Sequence, residues 1–289
     1  LFIMNSKDGK LKSITKKVRE FLLIKSLEKS NKQRGENNLK ERLSVIVPDL
    51  KDQYTTFTID KNDRYLVEKV RCQHTFQMTI LMKAIQLLLN KQKKIVIVDI
   101  GDSSGTHILY LNEFLKEYGI EAKTLSVNMD QIAIDKIRKR GLDAILCRVE
   151  ELHKHNIEAD LFLSFQMIEH LFNPISFLNK ISTNTQCDYF VITVPYVLKS
   201  RVGLEHIRNN IKDDVYAESI HIFELSPEDW NLIFQFSGWK ILHNDRYTQY
   251  PKAGILNLIK YEWRRFDFDG FYGVILERDH RIMNQYKSW

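Results

Sequence analysis

Two groups of residues have the types and spacing to do chemistry. The first is the loop in KKIVIVDIGDSSGTH, Lys93 to His107, where the Asp99 carboxylate ends an apolar run and Gly101 and Gly105 bracket Asp102, Ser103 and Ser104. The second is Glu169-His170, which follows the apolar run DLFLSF and Gln166. A histidine at such a place can take a proton from a hydroxyl or amine, help that is usually worth about 10²–10⁴-fold. The loop asks for a ligand. A dinucleotide site needs GxGxxG, because its second glycine lets backbone approach a pyrophosphate. Here Ser103 takes that position, and Asp102 brings negative charge to where a diphosphate would lie, which like-charge repulsion disfavours. S-adenosylmethionine has no phosphates. Its methionine end carries an ammonium and a carboxylate, and its sulfur is cationic. Asp99 suits the ammonium, the loop amides and helix start suit the carboxylate, and Asp102 is tolerable beside them. Charge favours the methyl donor over NAD.

The elements that must position these groups follow from periodicity. From Lys93 onward, apolar strands alternate with amphipathic helices. Strand KIVIVDI is followed by a helix from about Thr106 to Tyr118, which Gly119 ends. Strand KTLSVN leads to a helix begun by Asp130 and stopped near Gly141. Strands DAILCRV and DLFLSF come next, then a helix after Asn173-Pro174 and strand YFVITVP. A last helix opens at SPEDW, where Ser226 caps, Pro227 starts and Asp229 can close a capping box. Strands WKILHN and FYGVILE finish the chain. This alternation implies an α/β fold: a Rossmann-like, doubly wound, mostly parallel seven-stranded sheet covered on both faces, with ligands at the carboxyl ends of the strands. Upstream, DRYLVEKVRCQHTFQMTILMKAIQLLLNK is a nearly all-round apolar helix, which must be buried.

The stretch from Ile95 to about Gly238 resembles the class I S-adenosylmethionine-dependent methyltransferases, of the type named for ubiquinone and sugar methylation. VDIGDSSGTH is similar to the family's first motif, SVNMDQIAIDKIRKRG to its second, ILCRVEEL to its third, and ADLFLSFQMIEHLFNP to its fourth. YFVITVPY and HIFELSPEDWNLIFQFSGW resemble the later strand and final helix. The resemblance implies cofactor contacts at Asp99, Gly101, Asp102, Ser103, Gly105, Asn128, Met129, Arg148, Val149 and Phe165, with His170 and Glu169 catalytic. Asn128 departs from the usual acid at the ribose, and Arg148 stands where an aspartate often meets the adenine amine; arginine cannot accept a bond there. Some relatives place a divalent metal on E-x-x-E-H with a later histidine. Here Gln166 replaces one carboxylate while Glu169, His170 and His221 remain, and a hard cation prefers anionic oxygen. The expectation is therefore no metal, with magnesium as the cation to test.

Two segments outside the common pattern, about 196–222 and 248–270, are candidates for the acceptor pocket. They offer Tyr196, Arg201, Arg208, Tyr216, His221, Tyr250, Trp263 and Arg264, which with Gln166 suit a sugar carrying phosphate, sulfate or carboxylate. A further resemblance, to methyltransferases of surface-polysaccharide biosynthesis, rests on VEKVRCQHTFQ and would let His74, Phe76 and Gln77 cover the cofactor. The expected acceptor is a sugar or glycan, free or lipid-linked. RNA, a quinone-like small molecule, or no reaction at all in a Rossmann-like binding scaffold are the alternatives.

Bulk properties bound these readings. Three cysteines in 289 residues, without metal-ligand spacing, fit a reducing, cytoplasmic setting. There is no apolar run of about 18 residues and no signal peptide at the start. The net charge is +6, yet residues 1–34 hold ten Lys/Arg against three Asp/Glu, so the remainder sums to −1. A near-neutral core disfavours nucleic acid. Residues 1–70 read as a basic helical extension and 71–289 as the methyltransferase domain. Ile14, Val18, Phe21, Leu22 and Ile24 give the first helix an apolar side, which could pack on the domain or make weak contact with the inner face of an anionic membrane.

Overall fold

The computed structural model describes residues 6–90, 94–155, 157–203, 218, 220–249 and 268–285. Three helices come first: α1 (Ser6–Arg34), α2 (Asn37–Ile46) and α3 (Arg64–Leu89). Then β1 (Lys94–Ile100), α4 (Thr106–Glu117), β2 (Glu121–Asn128), α5 (Gln131–Lys139), β3 (Ala144–Leu146), β4 (Leu161–Phe165), α6 (Pro174–Asn184) and β5 (Tyr189–Tyr196) alternate. A two-stranded ribbon, β6 (Arg201–Val202) and β7 (Phe223–Glu224), precedes α7 (Pro227–Phe236), β8 (Trp239–Thr248) and β9 (Gly270–Arg278). The main sheet has seven strands in the order β3-β2-β1-β4-β5-β9-β8. Its first five are parallel; β9 runs antiparallel to β5, and β8, antiparallel to β9, returns to the common direction. The fold is the expected Rossmann-like, mostly parallel sheet with helices on both faces.

Strand alternation sorts the core. Ile95 and Ile97 of β1, Leu161 and Leu163 of β4 and Val191 of β5 join α1–α4 on one face. Val98, Ile100, Phe162, Phe190 and Ile192 join Phe177 of α6, Trp230 and Phe234 of α7, and Trp239 on the other. Fully burying side chains of this size contributes roughly 1.5–3 kcal/mol each. The same alternation decides the chemistry: Asp99, Phe165 and Thr193 fall on the α3–α4 face, whereas Tyr196 falls among the α6–α7 cluster.

Local signals behave largely as read. Asp130 Oδ1 accepts from Ile132 N at 2.8 Å, and Asn173 Oδ1 accepts from Ser176 N at 2.9 Å. Gly119 ends α4 with φ +63°. Three details differ. The strand expected through Val149 stops at Leu146, and residues Val149–His155 form a 3-10 helix. The box at Ser226 closes through a third residue: Ser226 N donates to Ser200 Oγ at 2.8 Å, and that hydroxyl donates to Asp229. In α1, Val18 and Phe21 are exposed, and Leu23, Leu27, Ser30 and Asn31 form the buried side instead; the side chain of Ile14 is not among those described. The reason is that this side meets β8, where Ser26 Oγ donates to Gln249 O, Tyr247 Oη donates to Leu27 O, and Arg34 pairs with Asp245 at 2.7 Å. Helix α3 runs unbroken through position 70.

Candidate functional site

The glycine loop leaves β1 between two positive-φ residues, Gly101 (φ +89°) and Gly105 (φ +77°). A Cβ on Gly101 would stand 2.5 Å from Met167 Cγ, and one on Gly105 2.6 Å from Leu142 Cδ1. The loop is thus pressed against its neighbours. Asp102 turns inward: Oδ1 accepts from Ser104 N at 3.1 Å and Gly105 N at 2.7 Å, while Oδ2 accepts from Ser126 Oγ at 2.7 Å. Its carboxylate takes up the loop amides that the sequence reading left for a ligand. Ser103 Oγ donates to Gln53 O at 2.7 Å, so the connection between α2 and α3 sits on this loop. Lys136 Nζ holds the same connection through Tyr54 O at 2.7 Å.

Asp99 is almost wholly buried, and its Oδ2 has no aligned hydrogen-bond donor. His107 Nδ1 stands 3.4 Å away, within electrostatic reach. Burial raises the Asp99 carboxyl above its ordinary value; His107 opposes this and Asp102 adds to it. His107 packs its edge on Phe165 (4.7 Å between ring centres), and its Nε2 lies 2.9 Å from Gln77 Oε1. Gln77 in turn donates to Thr193 Oγ1 at 3.2 Å. These contacts centre on His107, a residue whose place in the loop segment gives no sign of a role from the sequence alone. Gln77 and His74 do face the loop side, as the covering role required, but Phe76 packs in the core with Tyr247 and Phe271.

The other expected cofactor contacts lie along the neighbouring strand ends. Asn128 is held within the site's own frame: Nδ2 donates to Asp102 O at 2.9 Å and Oδ1 accepts from Asp130 N at 2.9 Å. Met129 is exposed, as is Leu146 opposite Asn128 in the β2–β3 register, so an apolar shelf faces solvent there. Arg148 points outward, 3.7 Å from Glu150, and Val149 is half-buried at the start of the 3-10 turn.

The second cluster follows β4. Gln166 has φ +54°, the one non-glycine positive φ among the described residues. Strain of this kind gathers where a chain is held for a purpose. Its backbone N donates to Thr193 O at 2.8 Å, and its amide reaches Thr193 Oγ1 at 3.4 Å. The turn Ile168–His170 follows. Glu169 is fully buried, and neither carboxylate oxygen has a hydrogen-bond partner. Desolvation pushes its carboxyl up to about 8. The ribbon β6–β7 docks on this turn: Ile222 N donates to Glu169 O at 2.9 Å, and His170 Nδ1 lies 2.6 Å from Ile220 O. A carbonyl only accepts, so Nδ1 carries the proton and the neutral ring keeps its lone pair on Nε2. The rings of His170 and His221 meet edge-on at 4.6 Å. His221 Nδ1 is 3.1 Å from Glu224 Oε1, and Glu224 also pairs with Arg201. Burial works against ionisation of Glu224, yet His221 and Arg201 together hold it below the ordinary value. Phe268 stacks on His221 at 5.2 Å.

The structure therefore brings Glu169, His170 and His221 together, with Arg201 joined to them through Glu224, while Gln166 is held on Thr193. It leaves Tyr196 buried on the opposite sheet face, under the Arg246 guanidinium at 5.6 Å. Arg208, Tyr216, Tyr250, Trp263 and Arg264 lie outside the described residues. One ligand atom each from Glu169, His170 and His221 lies within 4.8 Å of the others, as does one each from Asp99, Asp102 and His107.

No protein-family model matches the chain, and no curated protein matches it in sequence. Solved structures do share its fold. A protein from Galdieria sulphuraria assigned as a sarcosine dimethylglycine methyltransferase aligns at a TM-score of 0.53 and 12% identity, over 85% of this chain and 99% of the other. The 1,6-didemethyltoxoflavin-N1-methyltransferase of Burkholderia thailandensis, solved with 1,6-didemethyltoxoflavin and S-adenosylhomocysteine, aligns at 0.51 and 14% identity, over 75% of this chain and 82% of that one. The class this defines is a fold class: the chain has the Rossmann-like fold of S-adenosylmethionine-dependent methyltransferases.

Proposed function

We propose that the protein is an S-adenosylmethionine-dependent methyltransferase acting on an oxygen or nitrogen of a sugar or glycan acceptor. One observation carries the cofactor: a buried carboxylate oxygen, Asp99 Oδ2, without an aligned donor at the end of β1 beside the glycine loop. It fits an ammonium group. The exposed shelf at Met129 and Leu146 suits the flat adenine. The bound cofactor supplies a methyl group already activated on a sulfonium. The chain's own residues then have to orient an acceptor and take its proton. His170 is placed for the second task, since the Ile220 carbonyl fixes its tautomer with Nε2 as the base. Arg201, His221 and Phe268 offer a cation, a hydrogen-bonding ring and an aromatic face to the acceptor, which supports a polar, ring-shaped substrate such as an anionic sugar. No step is assigned to a metal; the Gln166 amide is engaged with Thr193. The exposed Lys17, Val18 and Phe21 of α1 belong to the same proposal as a weak contact with an anionic membrane carrying a lipid-linked acceptor, at the cytoplasmic face.

Calorimetry with S-adenosylhomocysteine tests the reading. The full chain should bind it, and Asp99→Ala should weaken it more than about tenfold, as expected for a charged hydrogen bond of roughly 1.5–3 kcal/mol. Absence of binding by the wild-type chain would reject the methyltransferase and leave a silent scaffold, the reading that the inward Asn128 and outward Arg148 favour.

A further inference from the structure

Consecutive residues of the connection between α2 and α3 are tied to three different parts of the molecule. Gln53 O accepts from Ser103 Oγ of the glycine loop at 2.7 Å, and Tyr54 O accepts from Lys136 Nζ of α5 at 2.7 Å. Thr55 and Thr56 are bound by Glu218, which comes from the segment just before His221. Glu218 Oε2 accepts from Thr55 N at 3.2 Å, from Thr56 N at 2.9 Å and from both threonine hydroxyls; Oε1 reaches Thr55 N at 3.3 Å. One half-buried carboxylate thus gathers two amides and two hydroxyls. Bonds to an ionised acceptor are roughly twice as strong as neutral ones, so this is a firm contact between parts of the chain far apart in sequence.

The contact matters more to one side than to the other. The α2–α3 connection is fixed without Glu218, through Ser103 and Lys136. The segment that carries Glu218 depends on it. Downstream, that segment is held where Ile222 N donates to Glu169 O at 2.9 Å and where Phe223 pairs with Val202. Upstream, Glu218 is the tie that the described residues show. Between these two anchors lie the Ile220 carbonyl, 2.6 Å from His170 Nδ1, and the His221 ring, which meets His170 edge-on. Resting on the reading of His170 as the base, we infer that Glu218 is a positioning residue. By fastening its segment to the α2–α3 connection, it keeps the Ile220 carbonyl on Nδ1 and so keeps the tautomer whose Nε2 takes the acceptor's proton. Through one side chain, the connection that rests on the glycine loop also aims the base.

Nitrogen-15 labelling of the histidines in the full chain reads the tautomer directly, at about pH 8.5, where an imidazole with the ordinary value of about 6.5 is neutral. His170→Gln identifies the His170 signals by their loss. In the wild type the two ring nitrogens of His170 should be widely separated, as a protonated Nδ1 and an unprotonated Nε2 are. Glu218→Ala should draw the two shifts together as the ring exchanges between tautomers. Glu218→Gln, which keeps an acceptor oxygen, should restore most of the separation, and the signals of His243 on β8 should not move. The double variant Thr55→Ala, Thr56→Ala removes two donors from the other side and should act in the same direction, which keeps the question decidable if Glu218→Ala fails to fold. A wild-type His170 protonated on Nε2 would overturn the inference at once. Unmoved His170 signals in Glu218→Ala, or in the threonine pair if that variant does not fold, would make Glu218 a structural clasp only and overturn it. A His243 shift as large as that of His170 would do the same. Calorimetry with S-adenosylhomocysteine on the same samples separates the two readings. Wild-type protein that binds none loses the methyltransferase and its base together, whereas a variant that binds it with His170 unmoved loses the role of Glu218 alone.

Discussion

Glu169 is the residue on which the chemistry and the stability of the site meet. A carboxyl group held at about 8 against an ordinary value near 4.5 stays protonated in the folded chain where the unfolded chain has released its proton. The sign follows directly. Below about pH 4.5 the two states bind the same proton and the group is neutral to stability. Between about 4.5 and 8 the folded state must retain a proton that solvent would take, so stability falls as pH rises. Glu169→Gln keeps the shape and removes the titration. The variant should therefore gain on the wild type as pH rises from 5 to 8.5, by about 1–3 kcal/mol or several degrees in Tm. Melting both proteins across that range checks it; a difference that does not change with pH would show that Glu169 is ionised in the fold. The same neutrality gives the neighbouring turn its division of labour. In the proposed reaction the base near pH 7 is then His170 rather than the protonated Glu169.

At the scale of elements, the glycine loop is built around Asp102. Its three bonds join the loop to itself and to β2 through Ser126. Removing them with Asp102→Ala leaves two buried amides and a hydroxyl unsatisfied, at about 1–3 kcal/mol each for such groups if nothing replaces them. A drop in Tm of several degrees without any ligand is expected in thermal melting; unchanged Tm with weaker S-adenosylhomocysteine binding would instead make Asp102 a ligand contact. This loop also shows how far sequence reasoning reaches. The strand, the two glycines and the capped helices α5, α6 and α7 were legible because each depends on residues adjacent in the chain. The direction of the Asp102 side chain was not, because it is set by Ser126, 24 residues away. His107 escaped for the same reason: its partners Asp99, Gln77 and Phe165 come from three different elements. The short β3 was over-extended because CRV reads as strand by composition, whereas only Ser126, Val127 and Asn128 of β2 have partners there. Glu169, His170 and His221 were legible as residue types, and the ribbon β6–β7 that brings His221 to His170 was not.

At the scale of the whole molecule, the basic helix has one task in the core and a second, the membrane contact, as a proposal. The C-terminal half of α1 is part of the core: Leu27 is fully buried, Tyr247 bonds its carbonyl, and Arg34 reaches both Asp245 and Glu36. Before that half, Val18 and Phe21 stand in solvent, with Lys25 Nζ 5.9 Å from the centre of the Phe21 ring. A single boundary at residue 34 would cut through the first task in order to remove the second. Deleting residues 1–34 should therefore expose the α3–β8 surface and yield insoluble or strongly destabilised protein. Replacing Val18 and Phe21 with serine and Lys17 with glutamate touches exposed positions alone and should leave Tm within about 2 °C, since such surface changes are usually worth no more than about 0.5 kcal/mol each. If the helix meets a membrane, the wild-type chain sediments with anionic vesicles at low salt and the triple variant does so much less, each basic residue contributing up to about 1 kcal/mol near the surface. Raising ionic strength toward physiological values, where the Debye length shortens to about 8 Å, should release the wild type as well. Sedimentation that ignores salt, or that the triple variant retains in full, would remove the membrane from the account and leave α1 as a packing element. No helix among the described residues is long and apolar enough to cross a bilayer.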